Sequence, residues 1–319
     1  MKIVFMGTPD FAVGILDELV EQGVNVAAVI TAPDRPSGRG LKVNESAVKK
    51  YAVNKGLKIM QPVKFRNDEF LNELKDLNAD LFVVVAFRML PDVVWQMPPL
   101  GTINLHASIL PNYRGAAPIN WAIINGEKET GVTTFFIEQE IDTGKVIEQE
   151  HIEIGENETA GELHDRLMEL GKKLVHSSVN KIEAGTVLRT DQNKLLKGVP
   201  IKSAPKIFKP ACKIDWSLGV SEVHNHCRGL SPYPTAWTIF EDEQGNSKSI
   251  KIFKTEKTDQ PVNGLSEVLM SKTDILVPCR DFYLKILNIQ PEGKRRMESV
   301  DYLAGHGNKK FKVRKKMSS

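Results

Sequence analysis

Cysteine is scarce in this chain. Cys212, Cys227 and Cys279 are its three thiols in 319 residues, far apart and odd in number. A disulfide framework or thiolate metal site is thereby excluded, and the thiols read as the reduced cysteines of a cytoplasmic protein. No apolar run reaches the roughly 18 residues of a membrane span. Strand-type residues begin at Lys2, which leaves no room for a signal peptide. The first turn, Gly7-Thr8-Pro9-Asp10, lacks the GxGxxG spacing and no acidic residue stands where a ribose would need it, so a dinucleotide site has little support. The seven histidines lack ligand spacing with cysteines or a carboxylate cluster, so no metal site is expected.

What remains is an ordinary globular composition, 41% hydrophobic and 26% charged, with enough length for two domains. The net charge of +3 is unevenly spread. Residues 204–319 carry 20 basic and 13 acidic side chains, against 23 and 27 in the remainder. A slightly acidic front and a basic back fit a catalytic domain followed by one that meets a polyanion; two solvated surfaces with a chance imbalance would look the same.

The most informative stretch is Gly101 to Asn120, GTINLHASILPNYRGAAPIN. Thr102 to His106 alternates as a strand, with Ile103 and Leu105 on one face and Asn104 and His106 on the other. Ser108-Ile109-Leu110-Pro111 then turns the chain, and Ile119 to Ile124 reads as an apolar helix. Two hydrogen-bonding side chains at the end of a strand suit the carboxyl edge of an α/β sheet, where such sheets bind ligands. Gly131 to Ile137 reads as a further strand leading to Asp142, ahead of the turn residue Gly144. Asn104, His106 and Asp142 supply an oxyanion donor, an acid/base and an orienting carboxylate.

Around this stretch the chain opens with a βαβ unit, Lys2 to Thr31, and Leu81 to Ala86 is an apolar run suited to a central parallel strand. Ala32 to Val43 is a Gly/Pro-rich segment carrying Arg35, Arg39 and Lys42; it reads equally as a solvated connection or as a mobile basic finger over an anionic substrate. Ala160 to Glu183 is a long amphipathic helix. Gly185 to Lys209 is polar with no apolar period, a linker and wrapping segment. Five short strands between Thr235 and Gln290 suggest a small β-barrel, and Lys309 to Lys316 reads as a basic tail.

These motifs together carry a resemblance. GTPDF at 7–11, PDRPSGRG at 33–40, NLHASILPNYRGAAPI at 104–119, IDTG at 141–144, APKI at 204–207 and GLSPYPTAW at 229–237 resemble the methionyl-tRNA formyltransferases, within the folate-dependent formyltransferase family. The resemblance covers nearly the whole chain. It implies an α/β, Rossmann-like formyltransferase domain with a mostly parallel sheet (1–185), a linker (186–204) and an OB-like C-terminal barrel that binds tRNA (205–319). It implies 10-formyltetrahydrofolate as formyl donor, with no permanently bound cofactor, and initiator methionyl-tRNA as acceptor, in a monomeric cytoplasmic protein with no membrane partner. The family's catalytic residues fall on Asn104, His106 and Asp142. Folate binding falls on Ser108, Ile109, Leu110 and Pro111, with Phe87, Met89 and Leu90 beyond the central strand, and tRNA binding on Arg35, Arg39, Lys42 and Lys206. Phe87-Arg88-Met89 stands where the family usually has Tyr-Gly and one residue more, and the approach to Asp142 is shortened. Alternatives within reach of the same triad are formylation of a sugar-nucleotide or purine-precursor amine, and, outside enzymes, a folate-responsive RNA-binding protein.

Overall fold

The computed structural model describes residues 1–37, 42–196, 198, 200–262, 267–306 and 311–313. They form two units, neither continuous in sequence: 1–118 with 130–152 and 164–203, and 119–129 with 153–163 and 204–319.

The first unit is built on a seven-stranded sheet. Its strands are β1 (Lys2–Gly7), β2 (Asn25–Ile30), β5 (Ile59–Met60), β6 (Leu81–Val85), β7 (Thr102–His106), β8 (Glu129–Phe136) and β9 (Val146–Glu153), in the order β5-β2-β1-β6-β7-β8-β9. A separate two-stranded ribbon pairs β3 (Arg35–Ser37) with β4 (Lys42–Asn44). The five strands from β5 to β7 are parallel, and β8 runs antiparallel to β7. The parallel strands have no polar alternation because both faces are covered. Val4, Met6, Ala28, Ile30, Phe82 and Val84 pack against Phe65, Phe70, Leu74 and Val94 on one side. Ile3 and Phe5 point to the other and are equally buried. There α1 (Asp10–Glu21) buries Phe11, Ile15, Leu16 and Leu19 at helical spacing, and α6 (Ala160–Glu183) follows the bounds its apolar period predicts. Gly7 is required by proximity: a Cβ there would lie 2.5 Å from the Cβ of Ala12. The strand can therefore turn straight into α1. Helices α2 (Ala47–Asn54) and α3 (Asp68–Asp76) are capped by Ser46 and Asn67, whose side chains accept from the Lys49 and Phe70 amides. The strand order reverses between β1 and β6, which puts the ligand crevice at the carboxyl ends of these strands. Among the described residues no helix is long and apolar enough to cross a membrane.

The second unit is a closed antiparallel barrel. Strands β10 (Ala236–Asp242), β11 (Ser247–Pro261), β12 (Glu267–Met270), β13 (Ile275–Pro278), β14 (Phe282–Pro291) and β16 (Phe311–Val313) run in the order β11-β10-β16-β12-β13-β14, β14 pairs back to β11, and the two-residue β15 (Met297–Glu298) flanks β14. The sequence suggested five strands and a basic tail. The sixth strand lies inside that tail: Phe311 and Val313 are buried and Lys312 between them is exposed. Three alternating residues are too short a run to stand out from the lysines around them. Trp216 is the largest fully buried side chain, and its indole N–H donates to Thr238 Oγ1 at 2.8 Å. Helix α7 (Val220–Gly229) buries Val223, Cys227 and His224 on the same core.

His224 makes this unit acid-sensitive. Its Nδ1 meets Thr255 Oγ1 at 2.8 Å, and its buried Nε2 has no hydrogen-bond partner among the described residues. Burial pushes the imidazole down to a pKa of about 4, with Arg228 and Lys257 acting in the same direction against Glu156. The unfolded chain, with a reference value of about 6.5, therefore binds the extra proton first. Stability is fully present above pH about 6.5 and falls by up to about 3 kcal/mol as pH drops towards 4. Melting temperature measured from pH 7 to 4.5 should fall less steeply for His224→Gln than for wild type; parallel curves would rule out His224 as the cause.

Candidate active site

Strand β7 sets the first two residues. Asn104 lies in register with Val84 on one side and Phe135 on the other, and His106 opposite Thr133. Two residues apart, they share a face of the sheet. His106 is 6% exposed. The Asn104 side chain is half-buried, and among the described residues nothing hydrogen-bonds its carboxamide.

Asp142 reaches His106 by an unexpected route. Because β8 is antiparallel, its last residue, Phe136, lies beside Ile103 at the start of β7, not beside His106 at its end. The nine residues from 137 to 145 must fold back along the sheet to return the carboxylate. They do so through a left-handed turn: Asp142 has φ +56°, a conformation in which Asp is tolerated better than most residues. Gly144 is forced by close approach, since a Cβ there would stand 1.7 Å from the Phe136 carbonyl oxygen. Asp142 Oδ2 accepts from the Gly115 amide at 2.9 Å and stands 3.8 Å from His106 Nδ1.

The imidazole is fixed from its other side. His106 Nε2 donates to the Tyr113 carbonyl at 2.8 Å, and a carbonyl can only accept. That bond selects the Nε2–H tautomer and leaves Nδ1 with its lone pair, close to Asp142 but beyond hydrogen-bond distance. Sequence reasoning names Asp142 as the group that orients His106; the tautomer is set by a backbone carbonyl. Tyr113 is itself in the left-handed region, at φ +61°. Its carbonyl was not readable from composition, because any residue type carries the same group.

The turn after β7 is locked by polar side chains. Ser108 Oγ donates to the Asn112 carbonyl at 2.7 Å. Thr133 Oγ1 donates to the Ser108 carbonyl and accepts from the Leu110 amide, at 2.7 and 3.1 Å. The Gln149 amide donates to the Leu110 carbonyl at 2.8 Å. Ser108 is fully buried, and Leu110 packs with Phe135, Val146 and Leu195. Ser108, Leu110 and Pro111 thus build the turn, while Ile109 is half-buried. Beyond β6, Phe87 is half-buried with its ring 6.0 Å from that of Phe65, Met89 is 73% exposed and Leu90 lies in the core. Arg88 stacks its guanidinium 4.0 Å over Phe65 and donates to the Pro62 and Val63 carbonyls. Of the residues expected to meet tRNA, Arg35 and Lys42 lie on the ribbon strands β3 and β4. Arg39 lies outside the described residues. Lys206 is exposed in the second unit, its Nζ 5.5 Å from the Phe208 ring centre.

A polar residue in the presumed linker also belongs to the site. Gln192 is 2% exposed and donates to the Asp142 and Gly144 carbonyls at 2.9 and 2.8 Å. A lone glutamine in a polar segment gives no sequence signal of burial.

A family model described as formyl transferase matches residues 1–179, and one described as formyl transferase, C-terminal domain, matches 206–307. Over 312 residues the chain is 51% identical to the methionyl-tRNA formyltransferase of Azobacteroides pseudotrichonymphae, covering 96% of each. The chain belongs to the methionyl-tRNA formyltransferase family. Its relative from Bacteroides fragilis is 48% identical over 318 residues, 98% of each chain. Among solved structures, HypX from Aquifex aeolicus in complex with tetrahydrofolic acid has a TM-score of 0.64 at 18% identity, over 95% of this chain and 47% of that one. The N-formyltransferase from Helicobacter canadensis, in complex with folinic acid and dTDP-3-aminofucose, has 0.65 at 21% identity, over 93% and 100%. At such identities these two establish the fold. The methionyl-tRNA formyltransferase relatives, unlike them, match along the sequence as well, from the first strand to the barrel.

Proposed function

We propose that the chain transfers the formyl group of 10-formyltetrahydrofolate to the α-amino group of initiator methionyl-tRNA, in the cytoplasm and as a monomer. The observation that carries this reading is a buried histidine whose Nδ1 faces a carboxylate, two residues from an asparagine amide that has no hydrogen-bond partner among the described residues. Identities of 51% and 48% over nearly the full chain to methionyl-tRNA formyltransferases support the acceptor.

The chemistry uses each group once. The neutral amine attacks the formyl carbon and gives a tetrahedral oxyanion, to which the Asn104 amide donates. His106 Nδ1 takes the proton that the amine loses, and the Asp142 carboxylate beside it stabilises the imidazolium. The bond from carbon to N10 then breaks, the proton goes to N10, and tetrahydrofolate and the formylated amine leave. No covalent enzyme intermediate is needed. Much of the rate would come from holding two large substrates together. In this reading residues 1–185 perform the chemistry, 186–204 link the domains and add Gln192 to the site, and 205–319 bind tRNA phosphates with their basic excess.

The test is release of tetrahydrofolate by the full chain with methionyl-tRNA as acceptor, beside a sugar-nucleotide amine and a purine-precursor amine. Faster turnover of either small amine would reject the reading, and so would folate binding without turnover. Arg39 stands between Gly38 and Gly40, where the backbone can approach a phosphate or base. Arg39→Ala should raise KM for methionyl-tRNA by about tenfold, as loss of a charge-assisted contact would. Folate affinity should be unchanged. Arg39→Lys should recover part of the loss, since an ammonium cannot reproduce the guanidinium fork. Identical tRNA saturation curves for wild type and Arg39→Ala would remove the residue from tRNA recognition.

A further inference from the structure

We propose that Gln192 is a positioning residue for the reaction, holding Asp142 in register with His106 through the backbone of the turn that carries it. The proposal rests on the formyl-transfer reading above. Gln192 opens a single 3-10 turn, Gln192–Leu195, in a mostly exposed stretch, yet it is almost fully buried itself. Both amide protons are used, one on the Asp142 carbonyl and one on the Gly144 carbonyl. Its Oε1 accepts from Nε and Nη2 of Arg114, at 3.1 and 2.6 Å. Every hydrogen-bonding position of the amide is therefore filled, the condition under which a buried polar group fixes a structure instead of weakening it.

Its two ends grip the two halves of the site. On one side is the left-handed turn that brings Asp142 back along the sheet. A non-glycine residue in that region is sparsely populated and persists where its surroundings hold it. On the other side is Arg114, between Tyr113, whose carbonyl sets the His106 tautomer, and Gly115, whose amide holds the Asp142 carboxylate. The same loop is held by the neighbouring stretch: the Tyr113 amide donates to the Lys202 carbonyl at 2.6 Å, and the Lys202 amide to Asn112 Oδ1 at 3.1 Å. A change at residue 192 would thus move the Asp142 carboxylate relative to the His106 base.

The test is a double-mutant cycle on the full chain, with Gln192→Glu and Asp142→Asn alone and together, under saturating methionyl-tRNA and 10-formyltetrahydrofolate. Glu keeps the length and the Arg114 contact but turns both donors into acceptors facing carbonyl oxygens. Gln192→Glu should lower kcat by about 10- to 100-fold, the scale of a misplaced catalytic group. KM for both substrates should stay within about threefold. In the Asp142→Asn background the same change should cost less than about threefold, because the group it positions is already disabled. Gln192→Asn, which keeps the amide but is one methylene short, should fall between Glu and wild type and serves where Glu prevents folding. Near-normal kcat in the folded variants would overturn the proposal, as would an equal cost in both backgrounds, the mark of a merely structural residue. Full activity of Asp142→Asn alone would instead reject the catalytic reading on which it rests.

Discussion

Replacing His106 by glutamine is expected to lower kcat with methionyl-tRNA by about 10²- to 10⁴-fold, the contribution of a positioned acid/base. Glutamine is the informative choice because its Nε2 can still donate to the Tyr113 carbonyl, as His106 Nε2 does at 2.8 Å. The loop from Asn112 to Gly115 then keeps its anchor, and what is lost is the basic nitrogen facing Asp142 at 3.8 Å. His106→Ala should lose as much activity and also leave a small cavity, costing about 1–3 kcal/mol of stability. Asn104→Ala should cost about 10²–10³ in kcat, the loss associated with one oxyanion donor. Single-turnover formylation, with folding checked by melting temperature, separates these effects. If His106→Gln retained more than a tenth of wild-type turnover, His106 would be an anchor for the loop and not the base.

The largest effect on stability is expected at Trp216. Trp216→Ala should cost the second unit about 3–5 kcal/mol. The side chain is fully buried among Val223, Phe240, Ile250 and their neighbours, and its removal opens a cavity that the closed barrel is poorly placed to collapse. Thr238, also buried, would lose the indole N–H its Oγ1 accepts. Trp216→Phe keeps most of the volume and loses the hydrogen bond, so it should cost less, about 1–3 kcal/mol. Calorimetry of the full chain is the measurement. Melting of the affected transition should fall by about 10 °C or more for Trp216→Ala. A smaller shift for alanine than for phenylalanine would show that packing around residue 216 is not what holds the barrel.

Much of this architecture was legible because single periods dominate. The parallel strand Leu81–Val85 is apolar throughout, and α6 keeps one apolar stripe over 24 residues, so both read at sight. Asn104 and His106 were legible because a strand's alternation puts them together whatever surrounds them. The path to Asp142 was not, since strand direction decides it and β8 turns antiparallel only where the sheet as a whole requires it. Gln192 and the Tyr113 carbonyl were hidden for a different reason. Their roles depend on which backbone groups the tertiary fold leaves to be satisfied, and no local pattern encodes that. The ribbon residues Arg35 and Lys42 were visible as charges, while the pairing beneath them, Arg35 with Asn44 and Ser37 with Lys42, came from the backbone.

The strand Phe311–Val313 sits between β10 and β12, more than forty residues after the later of them. During synthesis the barrel therefore stays open until Phe311–Val313 has been made. Until then β10 and β12 each present an unpaired edge, the kind of surface that invites pairing with another chain. A message truncated shortly before this point would yield a protein with every residue of the proposed site and an unclosed barrel. Such a product is a natural client for chaperones and proteases, so this strand doubles as a check that synthesis has passed residue 313.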